Sequence, residues 1–90
     1  MQCWRNKDPS FMKNLEGTDT RLDGDHKERE DAIGKCYNVA KDQGFPIFAL
    51  GDGGKCWACN GDAYMEYGPS EECPQSGKGL YGVANVYKIG

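Results

Sequence analysis

The residues most suited to chemistry are the five cysteines, two of which lie in the segment Cys56-Trp57-Ala58-Cys59. This spacing is typical of dithiol redox centres and of half a zinc site. A redox centre needs its first cysteine at a helix N-terminus, but the glycines at 53–54 predict a turn and then a strand. Zinc would need two further ligands, and no second pair has this spacing. Zinc binding or thiol redox chemistry at Cys56 and Cys59 is therefore an alternative hypothesis.

The number of cysteines also indicates a compartment. A chain of 90 residues forms a single domain, residues 1–90, with a small core. Small secreted domains supplement such a core with disulfides, whereas cytosolic thiols stay reduced. We therefore predict an oxidised, secreted protein; a reduced protein with buried thiols is the alternative.

Composition and motifs exclude several functions. The net charge of −3 argues against nucleic-acid binding, which needs a basic surface. No apolar run approaches the roughly 20 residues that cross a bilayer, so we expect no membrane insertion. Polar residues follow Met1 directly, so we expect the mature part of a secreted protein. With one histidine, no Gly-x-Ser-x-Gly and no phosphate-binding loop, we predict neither enzymatic activity nor a cofactor.

An amphipathic helix is predicted over about residues 27–43. Its apolar side chains recur at the spacing of one helical face, at Ala32, Ile33, Cys36, Val39 and Ala40. Asp25, with Glu28 three residues later, resembles a capping box, and Gly44 suits the left-handed position after the helix.

A small antiparallel sheet is predicted after the helix. Residues 45–50 and 55–58 read as two strands joined by the glycine turn 51–54, which gives a hairpin over about 45–58. A C-terminal strand follows over about 83–89. The predicted fold class is α+β: one helix packed on a small antiparallel sheet, with long loops stapled by disulfides.

These elements suggest two disulfides. Cys36, on the inner face of the helix, can meet Cys56 on the hairpin, and Cys3 with Cys73 would then tie the N-terminal strand to the late loop. Five cysteines allow many other pairings. This choice leaves Cys59 outside both bridges.

Several aromatic and polar residues lie in or beside glycine-rich turns and form a candidate ligand-binding set: Trp57, Asn60, Asp62, Tyr64, Tyr67 and Tyr81. Aromatic rings stack on the apolar faces of sugars, and amide or carboxylate groups bind the hydroxyls. The set therefore predicts a carbohydrate-binding surface. Packing in the core is the more common use of such rings in a small domain.

A cluster of acidic residues around Gly24 is a weaker candidate, for calcium: Asp19, Asp23, Asp25 and Glu28. Calcium prefers such oxygen ligands, but the spacing does not match an EF-hand loop. A polar loop leading into a helix is the favoured interpretation.

Segments spread over nearly the whole chain resemble the small extracellular WSC and PAN/apple modules: Cys3-Trp4-Arg5, Ala32-Ile33-Gly34-Lys35-Cys36, Gly44-Phe45-Pro46-Ile47-Phe48-Ala49-Leu50, Gly53-Gly54-Lys55-Cys56-Trp57, Tyr67-Gly68-Pro69-Ser70-Glu71-Glu72-Cys73 and Asn85-Val86-Tyr87. The chain has fewer cysteines than WSC domains, and Cys59 has no counterpart in the pattern. The resemblance implies an α+β fold, secretion, and adhesion or carbohydrate binding without catalysis.

The leading hypothesis is a secreted, lectin-like recognition or adhesion module. It would bind a glycan or an extracellular protein through the aromatic residues of the region 51–68. The rival hypothesis is an extracellular-matrix assembly protein, in which Cys59 forms an intermolecular disulfide and gives a homodimer.

Overall fold

The computed structural model describes residues 2–5, 12–61, 68–79 and 82–89. Its elements follow in the order β1 (Gln2–Arg5), β2 (Lys13–Asn14), a 3-10 turn (Thr20–Leu22), α1 (Ala32–Asp42), β3 (Ile47–Gly51), β4 (Lys55–Cys59) and β5 (Val83–Lys88). The strands form one antiparallel sheet in the order β1-β5-β3-β4-β2, and α1 packs on β3 and β4. The predicted α+β class, hairpin and C-terminal strand are confirmed.

The predicted start of the helix is wrong by about one turn. The Asp25 carboxylate accepts the Lys27 N–H at 2.9 Å, which closes a separate local turn, so Asp25 and Glu28 form no capping box. Such side-chain bonds to the nearby backbone compete with helix formation. The helix begins after Asp31, whose carboxylate accepts the Gly34 N–H. An added Cβ at Gly34 would overlap that carboxylate, so the glycine that weakens the helix also makes room for its cap.

The predicted end of the helix is confirmed. Gly44 is left-handed, with φ of +84°, and its N–H bonds to the Lys41 carbonyl oxygen. The Phe45 N–H reaches back to the Ala40 carbonyl oxygen at 3.0 Å. This pair of bonds is a Schellman motif, which satisfies carbonyl groups that the last helical turn leaves open.

Both faces of the sheet are apolar. The face under α1 carries Phe48, Leu50, Cys56 and Ala58, and the opposite face carries Ala49, Trp57, Cys59, Ala84 and Val86. Because successive side chains of a strand point to opposite faces, the nearly continuous apolar runs in β3 and β4 bury both sides.

Two disulfides attach other segments to this sheet. Cys36 of α1 is bonded to Cys56 of β4, with 5.4 Å between their Cα atoms, and Cys3 of β1 is bonded to Cys73, with 5.9 Å. These are the two pairs chosen from the sequence. The first disulfide fixes the helix on the sheet, and the second fixes the loop at 68–73 on the edge strand β1.

The outer edge of β1 is covered by that loop. The Arg5 N–H donates to the Gly68 carbonyl at 2.9 Å, and the Ser70 N–H donates to the Cys3 carbonyl at 3.0 Å. A single bridge pairs Trp4 with Pro69 between them. A covered edge is a poor template for pairing with another chain.

The edge of β4 is covered by β2, a two-residue strand that the sequence did not predict. Beyond β2, the Leu15 N–H donates to the Cys56 carbonyl at 3.0 Å. The Glu16 carboxylate then accepts the Cys56 N–H at 2.9 Å. A side chain thus continues the hydrogen bonding where the strand pairing stops.

The segment 77–79 lies against the ends of β3 and β5. The buried Asn85 side chain accepts the Gly79 N–H at 2.9 Å, and the Gly79 carbonyl accepts the Gly53 N–H at 3.1 Å. The Tyr87 hydroxyl donates to the Gly77 carbonyl at 2.7 Å. These bonds hold the segment in close backbone contact with the sheet.

In the described residues, no helix is long and apolar enough to cross a bilayer.

Candidate functional site

A buried ion pair between Arg29 and Glu16 joins three segments of the chain. The Arg29 guanidinium donates to both carboxylate oxygens of Glu16, with Nη1 to Oε2 at 2.9 Å. It also donates to the carbonyl oxygens of Leu22, at 2.6 Å, and Gly54, at 3.3 Å. Because the Arg29 side chain is 2% exposed, these groups replace water around the charge. The pair supports the fold rather than a ligand.

Two opposing effects act on the Glu16 carboxyl group. Burial raises its pKa, but the hydrogen bonds from Arg29 and from the Cys56 N–H outweigh burial and lower the pKa below its ordinary value of about 4.5. Glu16 is therefore ionised at neutral pH, as the bidentate bond to Arg29 requires.

The structure places two of the six predicted ligand-binding residues. Trp57 is 7% exposed on the face of the sheet opposite α1, and the Lys55 ammonium lies 5.2 Å from its ring centroid. Its ring therefore packs in the core and offers little surface to a sugar. Asn60 is exposed, directly after β4. The other four lie outside the described residues: Asp62, Tyr64, Tyr67 and Tyr81.

Cys56 and Cys59 do not act as a pair. Cys56 lies under α1 in its disulfide with Cys36, whereas Cys59 lies on the opposite face of the sheet. Their spacing of three residues along a strand gives opposite orientations. Cys59 is 5% exposed, and its thiol donates to the Gly61 carbonyl at 3.3 Å. This geometry disfavours both a shared metal and a redox disulfide between Cys56 and Cys59.

Two of the four acidic residues proposed for calcium, Asp19 and Asp25, bond to neighbouring groups of the chain. Asp19 accepts hydrogen bonds from the side chain and backbone of Arg21, which lower its pKa to about 2, and Arg21 also pairs with Asp42 at 2.8 Å. Asp25 closes the turn described above. Across residues 2–5, 12–61, 68–79 and 82–89, no group of three or more His, Cys, Asp or Glu side chains is arranged to hold a metal ion.

A shallow groove lies beside β1 and the Cys3–Cys73 disulfide. We call it the β1 groove; its volume is about 430 Å³, and it is lined by Arg5, Pro69, Ser70, Glu71 and Glu72. This size falls in the range of small-molecule sites. Arg5 Nη1 donates to the Pro69 carbonyl at 2.7 Å, and the Ser70 hydroxyl accepts the Glu72 N–H at 3.1 Å. The loop that forms the groove is therefore held to the sheet by side-chain bonds as well as by the disulfide.

The chemistry of the β1 groove is polar. It combines a guanidinium, a hydroxyl and two carboxylates, and both Glu71 and Glu72 are exposed. Such groups can donate to and accept from the hydroxyls of a ligand at the same time. No pattern in the sequence indicates the groove, because Arg5 and Pro69 are 64 residues apart. The predicted pairing of Cys3 with Cys73 was the nearest signal, since a disulfide there brings a late loop to β1.

Comparison of the chain with protein-family models, with curated proteins and with solved structures finds no match. The resemblance to WSC and PAN/apple modules accordingly stays a prediction. The function must be argued from the site itself.

Proposed function

We propose that the protein is a secreted, non-catalytic recognition module that binds a carbohydrate in the β1 groove. The observation that carries the proposal is the groove itself, where Arg5, Ser70 and two glutamates converge beside a disulfide. A hydroxyl-rich ligand matches this lining because each sugar hydroxyl can both donate and accept. The proposal moves the binding surface from the aromatic residues of 51–68 to the edge of β1.

Two features support secretion. Both disulfides join segments that are distant in the chain, and such bonds persist in oxidising compartments. The resemblance to WSC and PAN/apple modules points the same way and also favours adhesion. An extracellular protein partner is the other ligand to be tested.

The rival proposal of matrix assembly through Cys59 has less support. Cys59 is 5% exposed and its thiol is hydrogen-bonded to the Gly61 carbonyl, so an intermolecular disulfide would require the end of β4 to open. Such local opening has a free-energy cost. Dimerisation through Cys59 is therefore the second candidate.

A glycan array tests the proposed site. We expect the wild-type protein to bind a subset of glycans, and the double variant Glu71→Gln/Glu72→Gln to bind them at least about tenfold more weakly, because hydrogen bonds to charged groups contribute about 1.5–3 kcal/mol each. Both side chains are exposed, so the substitutions leave the fold intact.

The matched control is Glu28→Gln/Glu30→Gln, which makes the same change in charge at exposed residues outside the groove. This variant is expected to bind like the wild type. Binding that is equal in all three proteins would refute the placement of the site, and an array on which the wild type binds nothing would refute carbohydrate recognition. Capture of an extracellular protein through the same two glutamates would favour the protein ligand.

A further inference from the structure

We propose that the Cys3–Cys73 disulfide is a reducible latch: it holds the loop at 68–73, which forms the β1 groove, against the sheet until a reductant breaks it. Cys36–Cys56, in contrast, is resistant to reduction in the folded protein. The role in ligand binding rests on the proposed function, but the difference between the two disulfides does not. It follows from their burial and from what each one attaches.

The two disulfides differ in accessibility. Cys36 and Cys56 are both 0% exposed, because α1 covers one face of the sheet at this point. Cys3 and Cys73 are partly exposed at the edge of the sheet. A thiolate must approach a sulfur atom directly, so exchange depends on access. A small reductant can therefore reach Cys3–Cys73 in the native state, whereas Cys36–Cys56 requires the core to open.

The two disulfides also differ in what they hold. Cys3–Cys73 anchors the loop that supplies Pro69, Ser70, Glu71 and Glu72 to the groove. Without the disulfide, this loop is held to β1 by noncovalent contacts, which include the backbone hydrogen bonds at Gly68 and Ser70 and the Arg5 bond to Pro69. The helix and the hairpin stay joined by Cys36–Cys56. Reduction of Cys3–Cys73 therefore frees the loop that lines the β1 groove and leaves the core intact.

The exchange reaction is balanced with a dithiol as reductant. One thiolate of the dithiol attacks a sulfur of the Cys3–Cys73 bond, which breaks as a mixed disulfide forms and the other cysteine leaves as a thiolate that takes up a proton. The second thiol of the dithiol then displaces the bound cysteine. The dithiol ends as a cyclic disulfide, having supplied two electrons, and Cys3 and Cys73 end as thiols.

Limited reduction of the wild-type protein with dithiothreitol, followed by alkylation and peptide mapping, tests the difference. We expect Cys3 and Cys73 to be labelled at least about tenfold faster than Cys36 and Cys56, because reaching the latter requires global opening. Cys59 serves as an internal control for unfolding, since the residue is buried, with 5% of its surface exposed. Labelling of Cys36 and Cys56 at the rate of Cys3 and Cys73, or of Cys59 in step with them, would overturn the proposal.

The variant Cys3→Ser/Cys73→Ser tests the consequence. In hydrogen exchange, we expect amides at 68–72 to lose protection while the amides of β3 and β4 keep theirs. Loss of protection throughout the sheet would show that Cys3–Cys73 stabilises the whole fold, and it would contradict the latch. Glycan binding is measured on the wild type and on this variant. Unchanged binding by the variant would contradict the latch, whereas selective reduction of a wild-type protein that binds no glycan would refute the proposed function alone.

Discussion

Replacing Arg29 with alanine is expected to remove a large part of the protein's stability at 25 °C. The substitution strands the Glu16 carboxylate, and it removes the donor from the Leu22 and Gly54 carbonyls. Breaking a buried ion pair in this way costs about 3–5 kcal/mol. A domain of this size has a total stability of about 5–14 kcal/mol, so the loss is a substantial fraction of the whole. Urea denaturation followed by circular dichroism measures the loss.

The matched control is Arg21→Ala. Arg21 also forms a bidentate pair, with Asp19, and contacts Asp42, but its side chain is 39% exposed. Exposed pairs contribute about 0–1 kcal/mol, so this variant is expected to unfold at nearly the wild-type urea concentration. Equal losses from the two variants would show that burial of Arg29 does not determine its contribution.

The same ion pair makes stability depend on pH. Since the pKa of Glu16 is lower in the folded protein than in the unfolded chain, its contribution is fully present above about pH 4.5 and is lost as the pH falls through the folded-state pKa. Glu16→Gln should therefore lower stability at pH 7 and flatten its decline in acid. The urea midpoint, measured from pH 7 down to pH 3, follows both effects.

Substituting Gly79 with alanine is the second change with a large expected effect. Gly79 has φ of +69°, and an added Cβ would overlap the Leu50 carbonyl oxygen and lie 2.6 Å from the Gly51 Cα. Both atoms belong to the backbone of β3, so they cannot move aside as a flexible side chain would. We expect a loss of about 2–5 kcal/mol, the sum of overpacking and left-handed strain. Thermal or urea denaturation measures it.

Gly82→Ala is the control that separates the two causes. Gly82 is left-handed as well, with φ of +86°, but no atom of the residues that the structure describes lies within 4 Å of an added Cβ. Its loss should reflect backbone strain alone, about 1–2 kcal/mol. If the two alanine variants lost the same stability, the close approach of 77–79 to β3 would be disproved.

Local patterns in the sequence were enough to predict the helix face, the hairpin, the C-terminal strand and the end of the helix. Periodicity placed Cys36 inward on α1, and strand alternation set Cys56 and Trp57 on opposite faces of β4. The choice of Cys36 with Cys56 followed from these two facts, whereas Cys3 and Cys73 were paired from the cysteines that remained. For Trp57, alternation predicts the face of the sheet but not the burial of the ring, which depends on the side chains packed around it.

The features that the sequence did not predict depend on contacts between distant residues. The start of α1 was missed because Asp25 and Asp31 are both good caps, and only the turn at Lys27 decides between them. The sequence around Arg29 does not indicate that its side chain is buried, because its partner Glu16 is 13 residues away. The β1 groove needs Arg5 beside a loop more than 60 residues later, which no local pattern encodes.

Peptide mapping after alkylation in denaturant without reduction tests the disulfide framework most directly. On this framework depend the fold of the helix on the sheet, the β1 groove and the secreted state. We expect two cross-linked peptide pairs, Cys3 with Cys73 and Cys36 with Cys56, and alkylation at Cys59 alone. A peptide in which Cys56 is bonded to Cys59, or alkylation at all five cysteines, would contradict the framework and the functional proposals built on it.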